Sequence, residues 1–300
     1  MFHLTKKPNS QICAPTEGSI LGGLMTTNER DGDAAAYTEE LACALDVARG
    51  AGELIARYYR EGVETWEKSK DNPVTQADLD ADAFIRNALR DAYPGDGLLT
   101  EESEDDLSRL ECSRVWIIDP IDGTREFTKK IPEFAVSVGL AVDGEPVLGV
   151  VHNPIENVTV AGRLGAGVTK NGEPTGLTTC SSLGSARVAA SRSEERDGKL
   201  EPYDALFGEL VPTGSIAWKL ALVACGEFDF NLSVKPKNEW DVCAGDFLVH
   251  EAGGAYVDFE GKRLGYNERD PIRRQSMAAG SKALLKEFFD KRPKPEPRDD

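Results

Sequence analysis

The stretch Trp116-Ile-Ile-Asp119-Pro-Ile-Asp122-Gly-Thr124 decides how the rest of the chain is read. Val115 to Ile118 is a short apolar run and reads as a buried strand. It ends by throwing two carboxylates, three residues apart, into a tight turn. Pro120 fixes its own φ, and Gly123 allows close backbone approach. Gly123-Thr124-Arg125-Glu126-Phe127 then reads as the first turn of a helix, whose free N–H groups suit a phosphate. Carboxylates that hold Mg²⁺ beside such a helix end are the two halves of a phosphoryl-transfer site. An ordinary Asp-Gly turn with Asp119 as a cap explains the same residues about equally well. Two other motifs are excluded. Counted as an EF-hand from Asp119, the glycine comes one place early and Lys130 holds the twelfth position. Gly261-Lys262 is no P-loop, with Tyr256 at the first glycine position and Arg263 at the Ser/Thr position.

Two further acid sites change this balance. Glu101-Glu102-Ser103 follows Leu98-Leu99-Thr100, the end of a short strand, and Trp240-Asp241 opens a helix in the second half. Carboxylates at the ends of separate elements can converge on Mg²⁺, which keeps water and needs few protein ligands. Most of the run Glu101 to Asp106, five acids in six residues, reads as a solvated face.

Residues 1–36 are weakly periodic and read as a flexible leader, with Met25 an alternative start to Met1. Thr38 reads as an N-cap, and Leu41, Ala44, Leu45, Ala48, Ile55 and Tyr59 recur at helical spacing until Gly62. Thr75 and Asp78 form a capping-box signature for a second helix that Pro94-Gly95 stops. Strands follow over 115–118, 133–142, 146–152 and 157–162, with Asp143-Gly144 and Asn171-Gly172 as turns. Residues 37–180 thus read as an α+β subdomain. Residues 181–291 alternate and read as α/β. Strands are expected at 186–190, 228–234, 255–259 and 276–279, and helices at 202–210, 214–225, 241–252 and 282–289. Residues 292–300 read as a disordered, proline-rich tail.

The net charge of −17, from 52 acids against 35 Lys and Arg, argues against nucleic acid and anionic membrane as partners. No segment approaches the ~18 apolar residues of a membrane span. The six cysteines are dispersed without a CxxC pair and read as reduced thiols of a cytoplasmic protein, with Cys43, Cys225 and Cys243 in apolar helical patterns.

Together, Glu101-Glu102-Ser103, Trp116 to Thr124, and Trp240-Asp241-Val-Cys-Ala-Gly245 with Glu251-Ala-Gly-Gly254 resemble the inositol monophosphatase superfamily over about residues 37–290. The resemblance implies a layered α-β-α-β-α sandwich and a Mg²⁺-dependent, lithium-sensitive phosphomonoesterase using two or three ions. It implies Glu101, Asp119, Asp122 and Asp241 as side-chain metal ligands, with the Ile121 carbonyl as a further ligand. Thr124 would orient the attacking water, with Asp71 of Asp71-Asn-Pro-Val-Thr75 as its partner. Asp71, Thr124 and Glu101 are therefore the expected catalytic residues. Asp78 would be a helix cap and a support behind them. No covalent intermediate is implied, so Cys243 is expected to pack.

Gly123 to Phe127 and Lys235 to Trp240 are similar to CysQ-type 3′(2′),5′-bisphosphate nucleotidases, whereas inositol phosphatases usually carry Asn where Glu126 stands. An inositol-binding acid would fall on Val234 or Ser233, and neither is acidic. Gly123, Thr124, Arg192, Ser215 and Lys219 match substrate-binding positions. The expected partner is a small phosphorylated substrate, with a homodimer also admitted. The reading favours adenosine 3′,5′-bisphosphate, a by-product of sulfate activation, cleaved to AMP. Inositol-1-phosphate or a sugar bisphosphate is the alternative, and a regulatory partner of the transcription machinery is the third. An anionic substrate conflicts with a charge of −17 unless Mg²⁺ covers the acids and Arg125, Arg192, Lys219, Lys235 and Lys237 make the cleft less negative.

Overall fold

The computed structural model describes residues 35–69 and 72–293, apart from the side chains of Lys68, Ser69 and Asn72. Asp71, and nearly all of the expected leader and tail, lie outside these residues. Helix α1 (Thr38–Glu61) buries Ala44, Val47, Ala48, Ala51, Ile55 and Ala56, a stripe at helical spacing, and ends on Gly62 at φ 93°. Thr38 begins this helix and does not cap it. Its hydroxyl donates to the Ala35 carbonyl, and the cap position belongs to Tyr37. A hairpin of β1 (Thr65–Ser69) and β2 (Asn72–Thr75) leads into α2 (Gln76–Ala92). The Thr75–Asp78 capping box starts α2 as its spacing predicts.

A seven-stranded sheet follows in spatial order: β3 (Gly97–Thr100), β4 (Arg114–Asp122), β5 (Ala135–Val142), β6 (Glu145–Asn153), β7 (Val158–Arg163), β8 (Val168–Lys170) and β9 (Glu173–Thr175). β3 is parallel to β4, and the rest is the expected antiparallel meander. Asp143-Gly144 and Asn171-Gly172 turn two of its hairpins with positive φ at both residues, as a tight hairpin turn requires. β4 does not stop before its two acids. It runs through them with an irregular register between Asp119 and Asp122, so the expected turn is a bulge inside the strand. Helix α3 (Thr124–Thr128) leaves directly from that bulge.

The second sheet holds β10 (Arg187–Ser191), β11 (Glu209–Thr213), β12 (Phe230–Ser233), β14 (Ala255–Asp258) and β16 (Met277–Gly280), in the order β11-β10-β12-β16-β14. β13 (Lys237–Asn238) pairs with β15 (Ile272–Arg273) apart from it. The helices are α4 (Arg192–Arg196), α5 (Ile216–Ala224), α6 (Glu239–Glu251) and α7 (Lys282–Lys291). Residues 202–210 are not the expected helix. A 3₁₀ turn over Glu201–Leu206 gives way to edge strand β11, where Pro212 is tolerated because one side of the strand is unpaired.

Helices α1 and α2 cover one face of the seven-stranded sheet through Ile55, Ile85, Leu89, Trp116, Ile118 and Phe134. Helices α5 and α6 lie between the two sheets, where Leu220, Val223, Phe247 and Leu248 join Ile117 and Val151 to Tyr256 and Ala279. Phe288 of α7 closes the outer face over Phe230, Leu232 and Val257. The result is an α-β-α-β-α sandwich. Helix α6 is buried on nearly every side, as a helix between two sheets must be. Cys243 packs there, and the five described cysteines are free thiols. No helix among the described residues is long and apolar enough to cross a membrane.

Candidate active site

A cleft of about 570 Å³ opens where the bulge of β4 faces the starts of α5 and α6. Its lining includes Glu101, Asp119, Ile121, Asp122, Gly123, Thr124, Arg192, Ser215, Lys219 and Asp241, which are all the described site residues expected from the sequence. Asp119 is only 1% exposed, and its Oδ1 accepts the Ile121 N–H at 2.9 Å across the bulge. Asp241 is the third residue of α6, and its Oδ2 accepts the Asn238 N–H at 2.7 Å. Carboxylate oxygens of Glu101, Asp119 and Asp241 lie within 4.8 Å of one another. Burial, and then the mutual repulsion of Glu101, Asp122 and Asp241, push the Asp119 carboxyl well above its ordinary range. Asp241 is raised by burial and then by Asp122 and Glu101.

Asp122 stands beside this trio. Its Oδ2 accepts from Ser215 Oγ at 2.5 Å and from the Ala217 N–H at 2.6 Å, which ties β4 to the start of α5. Burial raises its carboxyl against these hydrogen bonds and the nearby Lys219 charge. Gly123 sits at φ 102°, and a Cβ there would meet the Glu133 carbonyl at 3.1 Å, so no other residue fits this corner without strain.

Thr124 finds its acid in Asp78. Thr124 Oγ1 lies 3.0 Å from Asp78 Oδ1 and 3.1 Å from the Ile121 carbonyl oxygen. Its single proton favours the charged acceptor. The other Asp78 oxygen accepts the Thr75 N–H at 2.7 Å and the Thr75 hydroxyl at 2.6 Å. One carboxylate therefore caps α2 with one oxygen and holds Thr124 with the other. Asp78, which the sequence reading placed only in support, is thus the acid that holds Thr124 among the described residues, and the expected partner, Asp71, lies outside them.

A second acid of α2 secures Glu101. Asp82, 2% exposed, accepts the Thr100 and Ser103 hydroxyls, the latter at 2.8 Å, and Arg86 Nε at 2.7 Å. It thereby clamps both ends of the turn that carries Glu101 and Glu102. Of the rest of the acidic run, Glu104 and Asp106 are exposed as expected, whereas Asp105 pairs with buried Arg109 at 2.8 Å.

The opposite wall differs from expectation. Arg192 does not offer a vacant fork, because both of its terminal nitrogens donate to Glu133, one at 2.8 Å. Burial raises the Glu133 carboxyl, but Arg192 and the Gly214 N–H overcome this and hold it below its ordinary range. Lys219 is 3% exposed and not a helix-surface lysine. Its Nζ donates to the Ser215 and Thr213 carbonyls at 2.8 and 3.2 Å, and burial lowers its pKa to about 8. Ser215 caps α5 through the Trp218 N–H at 2.9 Å while donating to Asp122, from a left-handed φ of 55°. Gly214 leaves room for Glu126, whose Cγ would lie 2.4 Å from any Cβ built there. Glu126 is raised by burial.

The donor set fits Mg²⁺. It consists of hard carboxylate oxygens from the turn after β3, from β4 and from α6, where burial and mutual repulsion disfavour ionisation until a cation offsets it. Glu101, Asp119 and Asp241 would hold the ion, with Asp122 and the Ile121 carbonyl at its side.

Comparisons agree with this geometry. The inositol monophosphatase family model matches residues 36–293. Nus factor SuhB of Escherichia coli K12 is 35% identical over 232 residues, covering 74% of this chain and 85% of the relative. Inositol monophosphatase 3 of Solanum lycopersicum is 31% identical over 259 residues, covering 83% and 94%. Among solved structures, extragenic suppressor protein SuhB of Bartonella henselae superposes with a TM-score of 0.75 at 28% identity, covering 84% of this chain and 98% of that one. The Thermotoga maritima IMPase gives 0.74 at 28%, covering 84% and 96%. The family model's match over residues 36–293, with relatives above 30% identity over most of their length, makes this chain a member of the inositol monophosphatase family.

Proposed function

We propose that this protein is a Mg²⁺-dependent phosphomonoesterase that removes the 3′-phosphate of adenosine 3′,5′-bisphosphate. The observation that carries the reaction class is that the Glu101–Asp119–Asp241 trio and Thr124, held from behind by Asp78, line one cleft. Bound Mg²⁺ supplies charge neutralisation of the phosphate and a water that ionises near neutral pH. The chain's own residues orient the reaction. With its proton on Asp78, the Thr124 oxygen is left to accept a hydrogen bond from the attacking water. As the water gives its proton to the Thr124 oxygen, the Thr124 proton passes to the Asp78 carboxylate, which becomes neutral while the water oxygen gains the charge. Gly123, Thr124 and Arg125, at the start of α3, line the same cleft, where a helix start suits phosphate oxygens.

Two features support the nucleotide. Glu126 occupies the cleft beside Lys219, where inositol phosphatases usually carry Asn. Glu194, the acid nearest the expected inositol-binding position, is fully buried. It is occupied by Ser233 Oγ, the Val234 and Lys235 N–H groups, and Lys237, so it offers nothing to an inositol hydroxyl. Inositol-1-phosphate is the second reading, because relatives from tomato and Thermotoga are named for it. A panel with Mg²⁺ separates the two. Faster phosphate release from the bisphosphate nucleotide than from inositol-1-phosphate or fructose 1,6-bisphosphate is expected, and a strong preference for inositol-1-phosphate overturns the nucleotide assignment. Turnover of none of these esters would favour the regulatory reading, since other relatives carry the name Nus factor.

A further inference from the structure

Two buried charged side chains outside the cleft grip the same dipeptide from opposite sides. Arg109, 1% exposed, lies on the segment returning from Glu101 to β4. Its Nη1 donates to Asn267 Oδ1 at 2.6 Å and its Nη2 to the Glu268 carbonyl at 2.9 Å, while Nε and Nη2 hold Asp105 at 3.1 and 2.8 Å. Asn267 Nδ2 returns a bond to the Arg109 carbonyl at 3.2 Å. Glu239, fully buried, opens α6 two residues before Asp241. It accepts the Asn267 N–H at 2.8 Å, the Glu268 N–H at 3.0 Å, and a hydrogen bond from Arg273. Neither Arg109 nor Glu239 lines the cleft.

Withdrawing two such charges from water costs several kcal/mol per ion unless every bond is met, and the hydrophobic core needs neither of them. What the arrangement does accomplish is geometric. Glu101 comes from the seven-stranded sheet and Asp241 from the start of α6, and Asn267-Glu268 is the piece that touches the supports of both. Asn267 holds φ 62°, a conformation that Asn tolerates.

We propose that Arg109 and Glu239, acting through Asn267-Glu268, are positioning residues that fix the separation of Glu101 and Asp241 and so set Mg²⁺ affinity. This rests on the reading of those acids as metal ligands. Residues one shell behind the ligands typically change metal affinity 10–100-fold when altered.

The test uses the full chain, freed of metal by a chelator, with Mg²⁺ titrated by calorimetry and the Tm measured without metal. Asn267→Gly removes both side-chain bonds to Arg109 while keeping the backbone conformation and the N–H that Glu239 accepts. Its Kd for Mg²⁺ should rise about tenfold, with kcat at saturating Mg²⁺ within about twofold of wild type. Asn267→Asp keeps an acceptor for Arg109 and should restore affinity. Arg274→Ala breaks an exposed pair with Asp270 beside the same loop and should leave affinity unchanged. A lowered Tm for Asn267→Gly with an unchanged Kd overturns the proposal, since the bridge would then serve stability alone. Absence of Mg²⁺ binding by the wild-type chain would remove the ligand reading itself.

Discussion

The two sides of the cleft handle buried charge in opposite ways. On the floor, Glu101, Asp119 and Asp241 crowd together, and after burial itself the neighbouring acids push the Asp119 and Asp241 carboxyls up against little compensation: the Ile121 N–H for Asp119, and Asn238 with the Lys237 charge for Asp241. On the wall, the charges are matched within the protein: Arg192 with Glu133 and Lys237 with Glu194. A site left unbalanced in its folded state is built to be completed by a cation. A site already balanced is built to hold shape. The bulk charge of −17 therefore says little about the substrate, because what matters is which acids remain uncompensated where the phosphate must lie.

The largest effect should come from the floor. Asp119→Asn keeps an oxygen for the Ile121 N–H and adds no bulk, yet should lower turnover by about 10³-fold or more. The Tm of its metal-free form should rise, because a repelled buried charge is gone. Turnover near wild type would break the distinction between floor and wall. Thr124→Val comes next, removing one hydroxyl between Asp78 and the cleft. A fall in kcat of about 10²-fold is expected with the Mg²⁺ requirement unchanged, and a shift in Mg²⁺ dependence alone would make Thr124 part of the metal floor.

Arg192→Met tests the wall. Because the pair with Glu133 is partly exposed, the KM for the bisphosphate should rise no more than about tenfold with kcat retained. A collapse of kcat would place Arg192 with the reacting groups. The smallest effect concerns a buried base away from the cleft. His152 of β6 is lowered to about 4, by burial first and then by Arg49. Between pH 6.5 and 4 the unfolded chain takes up a proton that the folded chain refuses, so stability falls as pH falls, by up to about 3 kcal/mol. His152→Gln should flatten the decline of Tm over that window, and an unaltered pH profile would show that this histidine is not held neutral.

Local signals carried most of the architecture and the acids that the cleft brings together. The bulged acids of β4, the opening of α6 and the two Asp/Asn-Gly turns each announce themselves within a few residues. Asp78 shows where this stops. Its spacing from Thr75 accounts fully for one oxygen, and nothing nearby reveals that the other reaches Thr124, 46 positions on. Asp82, Arg109, Glu133 and Glu239 were invisible for the same reason, since each also has partners far along the chain and a lone charged residue reads as surface. Lys219 matches a substrate-binding position, and nothing beside it in the sequence reveals that its Nζ is taken by the Thr213 and Ser215 carbonyls. The β1–β2 hairpin is short and polar, without the apolar alternation that marks a strand.

The account turns on whether the floor takes a cation. The most direct measurement is a calorimetric Mg²⁺ titration of the chelator-treated full chain beside Asp119→Asn, with phosphate release followed in the same samples. Saturable Mg²⁺ binding that the variant loses, with phosphate release rising in step with occupancy in the wild type, is the predicted result. Equal binding by both proteins, or phosphate release that continues without a divalent ion, would contradict it.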